Sequence, residues 1–286
     1  MFILKGALLN PSHGLPITHS GEAITRKSGS DFAVASELSG EGELMGGKIG
    51  SAIRERGSML KRIDKHLWIA EDPLQIFGIV LGRRMTVISL PDGDLFVHSP
   101  WEMTPDKKLR IEELGQVRYI VAPGRFHDLY LDQALAAFPL AELHAIPSLL
   151  RRFSSRPETF PLPDQAGSPW GDAIEQHAFW AGPFHSETVF FHRESQSLLL
   201  ADLCFRLDNR GLMTRLVGGG FGVYHRFSPT RDIRLWTLGQ RRLLRASVER
   251  VLEWPFTRII PSHGEIVPEN GRTVFETAFH WVLRKT

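Results

Sequence analysis

A histidine and an aspartate flank a short hairpin-like stretch in the second half of the chain. Residues 188–201 pass from β-branched and aromatic side chains, through polar turn residues, to a second apolar run, a pattern typical of two antiparallel strands. A hairpin brings its open ends together, so we expect His185 and Asp202 to meet at one sheet edge and His192 to lie beside the turn. Imidazole and carboxylate are ordinary ligands of zinc and iron, so the pair could belong to a metal site. A structural interpretation also stays open, with His185 as a loop cap and Asp202 as a turn former.

A second stretch, near the C-terminus, delivers another histidine. The apolar residues of TRIIPSHGE run into Pro-Ser-His-Gly, which predicts a short buried strand that ends in a loop. That loop presents His263, and Gly264 allows the backbone to approach a neighbour closely. The two stretches together provide three candidate metal ligands.

The order and spacing of these three residues resemble the late motifs of the metallo-β-lactamase superfamily. In that superfamily a histidine precedes a hairpin, an aspartate follows it, and a Gly-His-Gly or Ser-His-Gly loop comes last. The resemblance implies that His185, Asp202 and His263 are metal ligands. It also implies an α/β fold of the αββα type, in which two mixed sheets pack face to face between helices and the site lies at one edge.

The chain is more specifically similar to an uncharacterised branch of the superfamily, known only as a domain of unknown function. The similarity extends over roughly residues 60–283 and rests on short motifs in a fixed order. The matching motifs are Arg84-Met85-Thr86, His98-Ser99-Pro100 and Ala122-Pro123. The chain departs from the branch at two positions, where Gly124 replaces an asparagine and Asp128 replaces the second of two paired histidines.

The first ligand loop of the superfamily, His-x-His-x-Asp-His, is also reduced here. Only the adjacent pair His127-Asp128 falls in the loop, with Gly124 and Phe126 near the places of the first two histidines. The resemblance implies that His127 or Asp128 is either a fourth ligand or the base that accepts a proton. His98 is expected to support or cap the ligand residues without binding the metal itself. We therefore expect one divalent metal, zinc first and iron or manganese as alternatives, or none if the site is degenerate.

The intervening elements alternate between strands and helices. We expect a β-meander up to residue 99, a helix over 105–114 capped by Thr104, a strand at 117–122, a helix at 129–137 and a strand at 143–146. A proline- and serine-rich surface loop is expected at 151–171, where it could overhang the site. After a strand at 174–180 and the hairpin, the triple glycine at 218–220 predicts a hinge or lid rather than a phosphate loop. Helices over 229–253 and 271–283 complete the pattern.

Composition limits the class of protein. The chain has 286 residues, 42% of them hydrophobic, and a formal net charge of +2. This composition favours a globular protein whose overall charge is too small to attract nucleic acid or a membrane surface. Residues 1–57 are rich in glycine and serine and are predicted to form a loose N-terminal extension to a single domain at 58–286. A single cysteine, the lack of an evident signal peptide and the absence of a long apolar run predict a cytoplasmic protein.

Three functions remain open at this level. The first is a metal-dependent hydrolase that acts on an unknown small molecule through a metal-activated water. An anionic substrate is one option, because eleven arginines lie between Arg206 and Arg258, although they could equally solvate a surface helix. The second function is a degenerate, non-catalytic member of the fold that binds a ligand or a partner, and the third is a non-haem di-iron redox protein of related fold. The sequence does not indicate the oligomeric state.

Overall fold

The first sheet has seven strands, and the side chains of its inner strands are mostly buried because both faces of the sheet are covered. The computed structural model describes residues 60–162, 167–182 and 185–284, so the predicted extension at 1–57 lies outside the described residues. The order within the sheet is β1-β2-β5-β6-β7-β8-β9. The bounds of these strands are β1 Lys61–Asp64, β2 Leu67–Asp72, β5 Arg83–Ser89, β6 Leu95–His98, β7 Val117–Ala122, β8 Glu142–Ala145 and β9 Thr159–Pro161.

The second sheet has four strands in the order β10-β11-β12-β13. Its strands are β10 Ile174–Trp180, β11 Ser186–His192, β12 Ser197–Leu200 and β13 Arg258–Pro261. The first three strands run antiparallel, whereas β13 lies parallel to β12 with Leu200 opposite Pro261. A separate two-stranded ribbon is formed by β3 Gln75–Ile76 and β4 Ile79–Val80.

The helices lie on the outer faces of the two sheets. Their bounds are α1 Pro105–Glu112, α2 Leu131–Ala137, α3 Pro147–Leu150, α4 Leu212–Phe221, α5 Arg231–Trp236, α6 Arg241–Leu252, α7 Gly271–Ala278 and α8 His280–Leu283, with 3₁₀ turns at Arg151–Phe153 and Gly171–Ala173. The predicted cap of α1 is present, since Thr104 Oγ1 accepts a hydrogen bond from the Lys107 amide at 3.3 Å. No helix in the described part of the chain is long and apolar enough to cross a membrane.

Two hydrophobic cores show how the layers are stacked. The first core fills the space between the sheets, where Phe190, Leu199 and Ile260 of the second sheet pack with side chains of the first. The second core lies behind the second sheet, where neighbouring residues such as Phe191 and Leu198 point toward the helices. Alternate residues of one strand thus enter different cores, as the two-residue period of a strand requires. The predicted αββα sandwich is confirmed.

The hairpin predicted within residues 188–201 is present. Strands β11 and β12 pair antiparallel with His192 opposite Ser197, so the turn lies at residues 193–196 and the open end lies toward Asp202. The placement of His192 beside the turn is therefore confirmed.

Three expectations about local structure are wrong. The segment at 205–224 contains helix α4 rather than a hinge, and the predicted helix over 229–253 is divided into α5 and α6. Residues 151–171 do not form one open surface loop, because β9 pairs with β8 and Trp170 is buried in the first core.

Candidate metal centre

Three loops deliver the candidate ligands to one edge of the sandwich. His127 follows β7 of the first sheet, and Asp202 and His263 follow β12 and β13 of the second. Since β12 and β13 are parallel and in register, Asp202 and His263 leave the sheet side by side, each two residues beyond its strand. The site therefore spans the two sheets.

The side chains of His127, Asp202 and His263 converge on one point. Each offers a ligand atom, and these atoms lie within 4.8 Å of one another. His127 Nε2 is 3.4 Å from Asp202 Oδ2, and His263 Nε2 is 3.4 Å from Asp202 Oδ1. Within the described residues this is the one group of three or more histidine, cysteine or acidic side chains placed to hold a metal ion.

The donor atoms fit a divalent cation. His127 Nε2 and Asp202 Oδ1 are buried and have no hydrogen-bond partner among the described residues. A buried polar atom without a partner costs about 1–3 kcal/mol, and an ion at the centre of the group would satisfy these atoms. Two imidazole nitrogens and one carboxylate leave a fourth position open in a tetrahedral zinc site, as catalytic zinc requires.

A second interaction fixes the orientation of His263. Its Nδ1 lies 2.7 Å from the carbonyl oxygen of Gly82, so the hydrogen belongs on Nδ1, which donates to that oxygen. The lone pair of Nε2 then faces the site. Metal-bound histidines commonly donate their other ring N–H to a carbonyl or carboxylate in this way.

Burial and charge oppose each other in the pKa of Asp202. Burial alone would raise the pKa of this carboxyl group, but the adjacent imidazoles of His127 and then His263, each 3.4 Å from one of its oxygens, hold it well below its usual value. Asp202 in turn raises the pKa of His263 against the opposing effect of burial. The carboxylate is therefore ionised at neutral pH, as a metal ligand must be.

Glu187 holds the loop that carries Asp202. This fully buried carboxylate accepts hydrogen bonds from the backbone amides of Ala201 at 3.0 Å and Asp202 at 2.7 Å. The backbone of Glu187 also bridges to Gly124, and the Thr188 amide donates to the carbonyl oxygen of Pro123 at 2.8 Å. One residue therefore ties together the loops on which His127 and Asp202 lie.

His185 lies beside Glu187 rather than among the three converging side chains. Its Nε2 is 3.5 Å from Glu187 Oε2. Burial lowers the pKa of His185, but the adjacent carboxylate of Glu187 and the charge of Asp202 raise it overall. Its assignment as a metal ligand stays a prediction.

Asp128 and His98 lie at different depths around the group. The Asp128 carboxylate forms an ion pair with Arg152 at 3.0 Å, so it is already engaged and its catalytic role stays a prediction.

His98, at the end of β6, is almost fully buried and contacts the Phe190 ring edge-on with centroids 5.5 Å apart. Burial, followed by the charge of His127, lowers its pKa to about 3, so His98 is neutral at physiological pH.

The loop with His263 is held by a buried arginine. Arg84 donates hydrogen bonds to the carbonyl oxygens of Pro261 and, at 2.9 Å, Gly264, and it forms an ion pair with Glu71. Gly264 has φ +66°, and a Cβ atom at this position would lie 2.1 Å from the carbonyl oxygen of Arg206. Only glycine can occupy this turn without displacing backbone.

A cleft of about 400 Å³ opens next to the loop of His263. Its lining comes from the ends of β2 and β4, the start of β5, the 207–209 segment and the residues after His263, namely Glu71, Asp72, Val80, Leu81, Gly82, Arg83, Arg84, Leu207, Asp208, Asn209, Gly264 and Glu265. Four acids and two arginines face this space, so the cleft gives no support to the expectation of an anionic substrate.

Two supporting residues were missed by sequence reasoning. Arg84 is part of the Arg84-Met85-Thr86 motif, but it contacts Pro261, which lies 177 positions later, and no local sequence pattern indicates a contact over that separation. Glu187 offered one weak signal, since an acid between apolar and aromatic strand residues is unusual in a buried strand.

Comparison with known structures defines the class. A metallo-beta-lactamase from Pontibacter korlensis has a TM-score of 0.54 at 12% identity and covers 79% of this chain and 99% of its own. The DIM-1 metallo-beta-lactamase has a TM-score of 0.53 at 15% identity, with 78% and 96% covered. A flavo di-iron protein from Thermotoga maritima has a TM-score of 0.56 at 11% identity, with 78% and 61% covered. The chain therefore has the metallo-β-lactamase fold.

The family follows from the sequence profile. Residues 64–213, more than half of the chain, match the family described as Domain of unknown function (DUF4336). The chain belongs to this family. Among curated proteins, none matches the sequence significantly.

Proposed function

We propose that this protein is a metal-dependent hydrolase with one divalent ion held by His127, Asp202 and His263. The observation that carries the proposal is the convergence of these three side chains, with buried and unpartnered donor atoms on His127 and Asp202. Zinc suits two imidazoles and one carboxylate best, and iron or manganese are the alternatives.

Each of the three side chains contributes a distinct property to the site. Asp202 supplies a carboxylate that stays ionised, because the two histidines lower its pKa. His263 presents Nε2 in a fixed tautomer, because Nδ1 donates to the Gly82 carbonyl oxygen. His127 links the centre to the first sheet, and Glu187 maintains the distance between its loop and Asp202. When bound, a divalent ion supplies a Lewis acid that lowers the pKa of water to about 7.

A second function has a specific observation in its favour. The loop after β7 contributes only His127 to the group, and the neighbouring Asp128 is bound to Arg152. A protein that keeps the fold and binds a ligand or partner without catalysis would need no more than this. The absence of further histidines in this loop is the main support for the alternative.

A hydrolysis assay separates the two functions. Zinc-, iron- and manganese-loaded protein would be tested on chromogenic carboxylic esters, thioesters, phosphate diesters and β-lactams, beside Asp202→Asn and the matched surface control Asp106→Asn. The hydrolase proposal predicts turnover of at least one class, lost in Asp202→Asn and kept in Asp106→Asn. If the metal-loaded wild type turns over none of these classes, the binding module is favoured. Equal rates of turnover in wild type, Asp202→Asn and Asp106→Asn would favour it as well.

A further inference from the structure

A second cavity lies behind the second sheet, between α5 and the C-terminal helices. Its volume is about 530 Å³, within the range of small-molecule sites. The lining residues are Arg226, Arg234, Thr273, Glu276, Thr277, His280 and Trp281. None of them belongs to the candidate metal centre.

The positive charge at this cavity is not neutralised by the protein. Within the described residues, the lining arginines Arg226 and Arg234 and the neighbouring Arg231 form no ion pair with a carboxylate, whereas four of the other eight arginines between Arg206 and Arg258 are paired. Burial lowers the pKa of Arg234, and the like charges of Arg226 and Arg231 lower it further. Glu276 adds one negative charge at the rim, which leaves an excess of positive charge.

Two donors at the cavity lack an acceptor. Arg234 Nε and Trp281 Nε1 are buried and have no hydrogen-bond partner among the described residues. The guanidinium carbon of Arg234 is 5.3 Å from the centre of the Trp281 ring, so the two side chains are adjacent. Another nitrogen of Arg234 reaches Ser228 Oγ only at 3.5 Å. Indole and guanidinium N–H groups are donors only, so each of these two nitrogens needs an acceptor oxygen that the described part of the chain does not place within hydrogen-bond distance.

We propose that this cavity binds a small phosphate monoester. A phosphate group carries acceptor oxygens in several directions and can therefore take hydrogen bonds from Arg234 and Trp281 together. Its charge of about −2 at neutral pH also balances the excess of arginines. A carboxylate, with two coplanar oxygens and one charge, satisfies the same set less completely. This site is independent of the proposed hydrolase function, because it shares no residue with the metal centre.

Calorimetric titration at constant ionic strength tests the proposal, with inorganic phosphate and glycerol phosphate as probes. We expect saturable binding of glycerol phosphate to the full chain. Arg234→Gln removes the charge, and Trp281→Phe removes only the indole N–H, and each should weaken binding roughly tenfold. Arg245→Gln, on a partly exposed arginine paired with Glu249, and His263→Ala, at the metal centre, should leave the affinity for glycerol phosphate unchanged. Thermal unfolding of each variant identifies any that fails to fold.

Four results would overturn the proposal. Absence of saturation, or equal weakening by Arg245→Gln, would mean that the arginines attract anions only as a diffuse charge. If His263→Ala lost the binding of glycerol phosphate and Arg234→Gln retained it, the phosphate group would bind at the metal centre instead. Sedimentation with phosphatidic acid vesicles, without binding of glycerol phosphate, would assign the cavity to a lipid headgroup instead.

Discussion

Asp202 depends on its neighbours for both its charge and its position. His127 and His263 lie 3.4 Å from its two oxygens and keep the carboxylate ionised despite its burial. Its backbone amide is bound by Glu187. A buried carboxylate of this kind is expensive unless charges and hydrogen bonds compensate it, and here the compensating groups are the ones that would surround a metal ion.

Glu187→Gln tests the supporting role of this buried acid. The glutamine amide can accept at only one atom, so one of the Ala201 and Asp202 amides would face an NH₂ group. We expect the free energy of unfolding to fall by about 1–3 kcal/mol and metal affinity to fall by about 10–100-fold. Urea unfolding and metal titration measure these two quantities. Glu194→Gln, an exposed acid paired with Lys65 and His66, is the matched control, and equal effects in both variants would contradict the role assigned to Glu187.

His192 gives a pH dependence that is separate from the metal centre. Its Nδ1 lies 2.7 Å from Ser195 Oγ, and burial lowers its pKa from 6.5 to about 4. As the pH falls, the unfolded chain therefore binds a proton before the folded chain does. The contribution of neutral His192 to stability is complete above pH 6.5 and is lost as the pH falls from 6.5 to about 4.

Paired urea unfolding curves measure this contribution. The difference in free energy of unfolding between wild type and His192→Gln should decrease by about 3 kcal/mol across that interval, because one pKa unit corresponds to about 1.4 kcal/mol. A difference that is constant with pH would show that burial of His192 does not disfavour its charged form.

At the scale of elements, the parallel pairing of β12 and β13 brings two candidate ligands together. The turn after β13 depends on Gly264, where a side chain would collide with the Arg206 carbonyl oxygen. Gly239 also has positive φ, at +80°, but has open space around it. Substitutions at these two glycines therefore distinguish the cost of backbone strain from the cost of a steric clash.

Alanine substitutions at these glycines give the third prediction. Gly239→Ala should lower the free energy of unfolding by about 1 kcal/mol through strain alone. Gly264→Ala should lower it by about 3 kcal/mol or more and weaken metal binding, because the Arg206 backbone or the His263 loop must move. Thermal unfolding and metal titration measure both effects. Equal losses in the two variants would show that the close approach to Arg206 does not constrain the loop.

The hairpin and the strand before His263 could be predicted because their signals are local. Two short apolar runs separated by a polar turn specify β11 and β12 over adjacent positions, so their pairing follows from the sequence. Helix α4 could not be predicted in this way. Its glycines lower helix propensity, but Gly218 packs where a Cβ atom would lie 3.3 Å from Tyr224 Cβ, and Gly222 ends the helix with φ +79°. Tertiary packing outweighs propensity in this segment.

The break between α5 and α6 has a similar explanation. Apolar periodicity continues through residues 229–253, but Gly239 adopts positive φ and Thr237 Oγ1 donates to the Ile233 carbonyl oxygen at 2.8 Å. The chain turns at this point and starts a second helix. A single glycine in a polar helix end gives too weak a signal to predict this.

At the scale of the molecule, the sandwich unites sequence positions that are far apart. His127 belongs to the first sheet, and Asp202 and His263 belong to the second. The order of motifs along the chain predicted the superfamily fold and these three residues, but not how His185 and Asp128 are engaged. The contacts of His185 with Glu187 and of Asp128 with Arg152 depend on side-chain directions that spacing does not determine.

The most direct test of the metal centre is the metal content of the purified, tag-free protein. After loading with zinc, iron or manganese in excess and dialysis, elemental analysis should find one metal ion per chain in wild type and a large loss in His263→Ala. The three converging side chains can complete one centre but not two. Two ions per chain, no ion under any loading condition, or an unchanged content in His263→Ala would contradict the assignment of this site.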